Sequence, residues 1–288
     1  MDGKALAATI GIGLKSEVER MVALGVRPTI ATILVVHDPA SEIYVASKQR
    51  TAERLGILSK SYVLPEDVQE RDLLSLIHEL NADGNVNGIL LQLPLPPHLD
   101  ERRVLEAIDP GKDVDALTTT NVGRLVYGET DLIPCTPRGI MELLHHYRIP
   151  IRSSMAVIIN RSSLVGKPLH SLLLNEDATV TLCHSKSIEL STLTRHADLL
   201  VTAVGRRPHF VLTGEMVKEG AAVIDVAMNR IDGKLMGDVD FEEVSERASY
   251  ITPVPGGVGP MTVMMLMQNT LIAAEKQNRL MVHTMTPA

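Results

Sequence analysis

Tyr44 and Lys48 stand four residues apart in the stretch Asp38-Pro39-Ala40-Ser41-Glu42-Ile43-Tyr44-Val45-Ala46-Ser47-Lys48. With Ser41 as N-cap behind the Pro39 turn, the stretch reads as the start of a helix, and the spacing sets a phenol beside an ammonium on one face. That pairing is a candidate reaction centre. Taken alone, it reads equally well as an exposed amphipathic helix with a solvated lysine and a half-buried tyrosine. Three further groups can do chemistry. Gln92 closes the apolar run Gly88-Ile89-Leu90-Leu91, and Asp113 and Asp115 flank Val114 in a turn-rich stretch from Asp109. If that stretch is extended, the two carboxylates point to opposite faces, so at most one looks into a given pocket. The third group is Asn160-Arg161-Ser162-Ser163-Leu164-Val165-Gly166-Lys167-Pro168, a small polar turn with a fixed positive charge.

These groups need elements to position them. In the first half, Thr29 to Val36 is a β-branched run too short for a helix and suited to a strand buried on both faces. Before it, residues to about Leu24 read as a helix capped by Asp2 and stopped by Gly25 and Pro28. Leu58 to Leu64 reads as a second strand, Asp72 to Asn81 as a helix and Gly88 to Leu93 as a third strand, ended by Pro94-Leu95-Pro96-Pro97. Strands alternating with helices imply a parallel sheet, whose ligands gather at the carboxyl ends of the strands. The Asp38 turn and Gln92 both fall at such ends, so Lys48 and Gln92 can face one cleft.

The second half repeats the alternation. Thr136 is expected to cap a helix with Pro137 at its first position, running to about His146 and crossing between domains. Strand Met155 to Ile159, the Asn160 turn and an apolar helix to Leu174 follow, a geometry that turns backbone N–H groups and the positive end of a helix toward an anion. The text G-x-G-x-x-G is absent, and asparagine stands at 160 where a tight turn prefers glycine, although asparagine tolerates left-handed backbone. Strands over Ala178 to Cys183, Asp198 to Val204 and Ala221 to Val226, with a turn at Gly205-Arg206 and a helix near Glu189, complete a nucleotide-binding half-sheet. His184-Ser185-Lys186 falls where such folds read the adenosine ribose. An acid there would favour a free 2′-hydroxyl, whereas Ser185 and Lys186 with Arg161 favour a 2′-phosphate, hence NADP over NAD. Ile251 to Thr262 holds three prolines and three glycines, which suits a loop that lets backbone approach a flat ligand. Met261 to Met267 reads as a core-packing helix face.

Composition narrows the partners. A net charge of −7, the lack of a basic block and 2% aromatic residues argue against nucleic acid. No apolar run approaches the ~20 residues that span a bilayer, and Met1-Asp2-Gly3-Lys4 lacks a signal-peptide layout, so a cytoplasmic setting without a membrane partner is expected. Cys135 and Cys183 offer no disulfide framework, and the ten histidines show no ligand spacing, so no metal is expected.

In this order the motifs resemble the bifunctional methylenetetrahydrofolate dehydrogenase/methenyltetrahydrofolate cyclohydrolase family over essentially the full chain. The carriers are Asp38-Pro39-Ala40-Ser41 with Tyr44 and Lys48, Leu91-Gln92-Leu93-Pro94-Leu95-Pro96, Lys112-Asp113-Val114-Asp115, Arg161-Ser162 with Val165-Gly166-Lys167-Pro168, and Pro253-Val254-Pro255-Gly256-Gly257-Val258-Gly259-Pro260. The resemblance implies an α/β homodimer of two domains. An N-terminal catalytic domain, 1–139 joined by 263–288 as the last helix packs back on it, would be followed by a Rossmann NADP-binding domain over 140–262. It implies a tetrahydrofolate substrate, with the lysine matching Lys48 as acid/base catalyst, the glutamine matching Gln92 bonded to it, the aspartate matching Asp115 holding the pteridine and the tyrosine matching Tyr44 on the folate rings. Pro255, Gly256 and Gly257 would border the folate. Asn160, Arg161, Ser162, Ser185 and Lys186 would serve the cofactor, and Gly205 and Thr262 its nicotinamide end. A lysine at its ordinary pKa of about 10.4 is a poor base at neutral pH, so Lys48 is expected to be shifted down.

Val36, Ala116, Asn160 and Ala227 stand where the family usually has glycine. Two of these line the expected cofactor site, where an added side chain can push the backbone away, so a specialised member with weakened or lost dehydrogenase activity is an alternative. Short-chain dehydrogenases share Tyr-x-x-x-Lys, but there the dinucleotide turn comes first, whereas Tyr44 here precedes Asn160.

Overall fold

The computed structural model describes residues 1–36 and 39–278, with 39–44 as backbone only. Side-chain expectations for Asp38, Ser41 and Tyr44 therefore lie outside the described residues. In chain order the elements are α1 (Gly3–Ala23), β1 (Thr29–Val35), α2 (Pro39–Leu55), β2 (Leu58–Leu64), α3 (Glu70–Ala82), β3 (Gly88–Leu91), α4 (Glu101–Glu106), α5 (Thr119–Val126), α6 (Cys135–His146), β4 (Met155–Ile159), α7 (Gly166–Asn175), β5 (Thr179–Cys183), α8 (Leu190–Thr194), β6 (Leu199–Thr202), β7 (Ala222–Asp225), β8 (Asn229–Ile231), β9 (Lys234–Met236), α9 (Phe241–Ser245), β10 (Tyr250–Ile251) and α10 (Val258–Gln277). Two compact units form. One comprises 10–124, 130–133 and 266–288, the other 1–9, 125–129 and 134–265.

In the first unit, β1 lies between β2 and β3 in a parallel sheet, with Ile33 opposite Tyr62 on one side and Leu91 on the other. Every residue of β1 is buried, which is why it reads as an unbroken apolar and β-branched run, whereas the edge strand β2 is partly exposed. Ile33, Ile77, Ile89, Leu91 and Val104 share one core cluster. In the second unit, five parallel strands run in the order β10-β7-β6-β4-β5, with the antiparallel pair β8-β9 apart from them. Val157, Ile159, Leu200, Val223 and Leu212 form part of its core. Every pair in both sheets is parallel, so each connection between neighbouring strands is a crossover.

Two helix starts differ from expectation. α2 already begins at Pro39, a residue whose fixed φ suits the first helical position, so Ser41 lies inside the helix. α6 begins at Cys135 behind Pro134, which puts Thr136 inside the first turn, where its hydroxyl meets that of Thr262 at 3.0 Å. α1 does begin behind Asp2, whose carboxylate accepts the Ala5 amide at 2.9 Å.

The last part of α10 belongs to the first unit and is tied to it by polar groups. Asn269 Nδ2 donates to the carbonyls of Val114 and Ile133, each at 2.8 Å, and Gln277 Nε2 to those of Asn87 at 2.8 Å and Gly111 at 3.0 Å. Glu275 is buried there, accepting from Arg20 Nη2 at 3.0 Å, and Arg20 also pairs with Glu17. Burial first, and a hydrogen bond and repulsion from Glu17 next, push the Glu275 carboxyl up to about 7, against the opposing pull of Arg20. A carboxyl that holds its proton more tightly folded than unfolded stabilises fully below the unfolded pKa, and that contribution is lost as pH rises toward 7. Glu275→Gln should therefore gain in melting temperature relative to the unsubstituted protein between pH 5 and pH 8. Thermal melts at the two pH values check this, and a gap that is constant or moves the other way would contradict it.

Candidate functional site

β3 stops at Leu91, and the Gln92 amide adds one more bond to β1 through the Ile33 carbonyl at 2.9 Å. The side chain of Gln92 is then set: Nε2 donates to its neighbour's carbonyl, Leu93 O, at 2.8 Å, which leaves Oε1 to accept from Lys48 Nζ at 3.0 Å. Lys48 is half-buried, one turn beyond the backbone of Tyr44 on α2. The sequence pairing of Lys48 with Gln92 is thus realised, and the carboxamide orients an ammonium rather than loop amides.

Residues 112–115 carry the second polar group of this unit. Lys112 is buried and its Nζ donates to three carbonyls, Leu80 at 3.0 Å and Asn81 and Asp83 at 2.8 Å each, capping the end of α3. Burial pulls its ammonium below the ordinary lysine range. Asp113 is buried too, accepting from the Thr118 amide at 2.8 Å and Asn121 Nδ2 at 3.0 Å, and burial pushes its carboxyl up. The Lys112 carbonyl accepts from Ile89 N at 2.7 Å, so this segment runs along β3. Of the two carboxylates, Asp113 is buried within the fold and Asp115 is half-buried. Ala116 pays for the turn with left-handed backbone at φ 57°. The roles of Lys112, Asp113 and Asn269 were not read from the sequence. Their signal was a lysine and an asparagine at positions that otherwise read as loop and apolar helix.

In the other unit, Ile159 of β4 pairs with Cys183 of β5 and with Thr202 of β6. Arg161 follows the first strand and Ser185 and Lys186 the second, all three exposed. His184 folds the latter loop, accepting the Lys186 amide on Nδ1 at 3.1 Å. The chemistry of this set, two cations and a hydroxyl at neighbouring strand ends with no acid among 184–186, fits the 2′-phosphate of NADP.

The expectation of open amides at the helix start does not hold. The Gly166 amide is taken by Asn160 Oδ1 at 3.1 Å, the Lys167 amide by Ser162 O at 3.0 Å and the Leu169 amide by Val165 O at 2.9 Å, while Pro168 has none. Asn160 and Ala227 also avoid left-handed backbone, so neither replaces a glycine that φ demands, and Ala227 is buried.

Two buried acids behind the strand ends were not foreseen. Asp238 accepts from the Thr202 hydroxyl at 2.8 Å, the Val204 amide at 2.7 Å and the Gly205 amide at 3.0 Å, which fixes the turn expected at the nicotinamide end. Asp225 accepts the amides of Val239 at 2.9 Å, and of Asp238 and Ala227 at 3.1 Å each; burial, with the charge of Asp238 adding, pushes its carboxyl up to about 6. The glycine-proline loop has the tightness expected of it. Gly256 holds φ 108°, and a Cβ on Gly257 would lie 2.6 Å from the Pro253 carbonyl. Pro255 is exposed at its tip, and the Thr262 hydroxyl bridges Val258 O and Thr136.

Residues 1–115 match the model of the tetrahydrofolate dehydrogenase/cyclohydrolase catalytic domain, and residues 134–278 that of the family's NAD(P)-binding domain. The bifunctional protein FolD of Cenarchaeum symbiosum is 53% identical over 95% of this chain and 97% of its own. That of Enterococcus faecalis is 51% identical over 96% and 98%. The crystal structure of the Campylobacter jejuni bifunctional enzyme FolD superposes with a TM-score of 0.93 at 49% identity, covering 97% of this chain and 98% of that one. The Trypanosoma brucei enzyme, complexed with NADP cofactor and inhibitor, gives 0.92 at 38% identity over 97% and 98%.

Asp238→Ala would strand a buried hydroxyl and two amides, so a loss of about 3 kcal/mol is expected. A clear fall in melting temperature would show it; an unchanged melting temperature would mean that water replaces the carboxylate.

Proposed function

The chain belongs to the tetrahydrofolate dehydrogenase/cyclohydrolase family, and from that premise we propose that it oxidises 5,10-methylenetetrahydrofolate with NADP and hydrolyses the methenyl product to 10-formyltetrahydrofolate. The observation that carries the hydrolytic half is the oriented pair of Lys48 and Gln92, 3.0 Å apart. Water adding to the methenyl carbon loses a proton, and a folate ring nitrogen gains one as its bond to that carbon breaks. Lys48, acting as the neutral amine, takes and returns that proton, and Gln92 holds Nζ in place by accepting one of its hydrogens. Asp115 holds the pteridine, and Tyr44, Pro255, Gly256 and Gly257 are assigned to the substrate by the family resemblance.

When bound, NADP supplies the hydride acceptor for the oxidation, while the folate nitrogens supply the electron push. Arg161, Ser162, Ser185 and Lys186 hold its 2′-phosphate end, and Gly205 and Thr262 serve the nicotinamide end. The protein contributes alignment here rather than an acid or base. We further infer a homodimer in the cytosol. The family resemblance supports the first, and two buried cysteines without a disulfide fit the second. Among the described residues, no helix is long and apolar enough to cross a membrane.

Lys48→Met should abolish hydrolysis of methenyltetrahydrofolate, by about a hundredfold or more, with an unchanged melting temperature; hydrolysis at the original rate would remove Lys48 from the mechanism. Arg161→Ala should raise the KM for NADP by about tenfold and leave that for NAD nearly as it was. Equal effects on both cofactors would argue against 2′-phosphate recognition.

A further inference from the structure

Asn160 stands where a glycine was expected, and its added side chain was expected to crowd the cofactor. The carboxamide instead makes three hydrogen bonds within the fold. Nδ2 donates to the Ala203 carbonyl at 2.6 Å, and Oδ1 accepts the amides of Ser162 at 2.7 Å and Gly166 at 3.1 Å. Ala203 lies just past β6, where the backbone bond from its amide to Ile159 O has stretched to 3.4 Å. The Asn160 side chain thus continues the pairing of β4 with β6 after the ladder weakens. It simultaneously closes the turn that displays Arg161 and Ser162. Gly166 is fitted to this arrangement, since a Cβ there would lie 2.3 Å from the Asn160 carbonyl oxygen and 2.7 Å from Oδ1. From the other side, Asp238 holds the Val204 and Gly205 amides, so the two turns at these strand ends are anchored independently.

We propose that Asn160 is a positioning residue: by tying the turn after β4 to the end of β6, it sets Arg161 and Ser162 in place before NADP arrives. This rests on the NADP reading above. A turn already ordered spares the ligand the cost of ordering it, and the benefit appears in affinity rather than in the rate of the bound complex. Asn160 acts through its neighbours, so its removal should leave the hydrolytic site of the other unit alone.

The test compares the unsubstituted protein with Asn160→Gly, which restores the expected residue, and Asn160→Ala, which keeps a Cβ. Hydrogen exchange by mass spectrometry on the cofactor-free proteins should show faster exchange in peptides covering 160–167 for both variants. Calorimetric titration should show the Kd for NADP raised about tenfold, with methenyl hydrolysis, which uses no NADP, held within about twofold. Unchanged exchange and Kd, or tighter NADP binding by Asn160→Gly, would overturn the proposal, as would a parallel loss of hydrolysis. If the unsubstituted protein hydrolyses the methenyl substrate yet takes no NADP, the cofactor reading itself fails, a result distinct from these.

Discussion

Lys48 meets Gln92 at 3.0 Å because β3 ends one residue before the glutamine while its backbone still pairs with β1. The carboxamide has one donor group spent on Leu93 O, so only its oxygen faces the ammonium. A flexible four-carbon side chain is thereby given a fixed partner, the positioning that the proposed proton transfer requires. The surrounding unit works toward the same end. Lys112 bonds the carbonyls that end α3, Asp113 the Thr118 amide and Asn269 the carbonyls of Val114 and Ile133, so buried polar groups hold the segment around half-buried Asp115.

The cofactor unit solves a different problem. Parallel strands end together, and the turns that leave them must be held open in defined shapes. Here side chains hold the turns: Asn160 across β4 and β6, and Asp238 across β6 and the turn at Gly205. Burying Asp225 beside Asp238 is costly, which is why its carboxyl rises to about 6 in spite of three amide donors. Arg161, Ser185 and Lys186 stand exposed at these strand ends, while the Gly166 amide at the start of α7 is already bonded to Asn160.

Much of this was legible in the chain. Buried parallel strands announce themselves as apolar β-branched runs, so β1 and β4 were read almost to the residue, the edge strand β2 was bounded by Gly56 and Pro65, and polar residues closing such runs marked Gln92 and the turn at Arg161. The family resemblance was legible from motif order, and the comparisons with known proteins agree with it. Other features were hidden because their meaning is tertiary. Lys112 resembles any surface lysine until three carbonyls surround it, and Asp238 resembles a loop acid until two amides point at it. Asn160 was misjudged for the same reason: volume was predictable from the residue type, but the position of the Ala203 carbonyl was not. Helix starts at Pro39 and Cys135 were missed by local capping rules, which tertiary packing overrides.

The most direct test of the two-reaction reading is a pair of absorbance records on the purified, unsubstituted protein. Mixed with methylenetetrahydrofolate and NADP, it should produce NADPH; given methenyltetrahydrofolate with no cofactor, it should bleach the methenyl chromophore well above the spontaneous rate. Folate binding without either change would contradict the assignment of Lys48 and Gln92 to a working catalytic site.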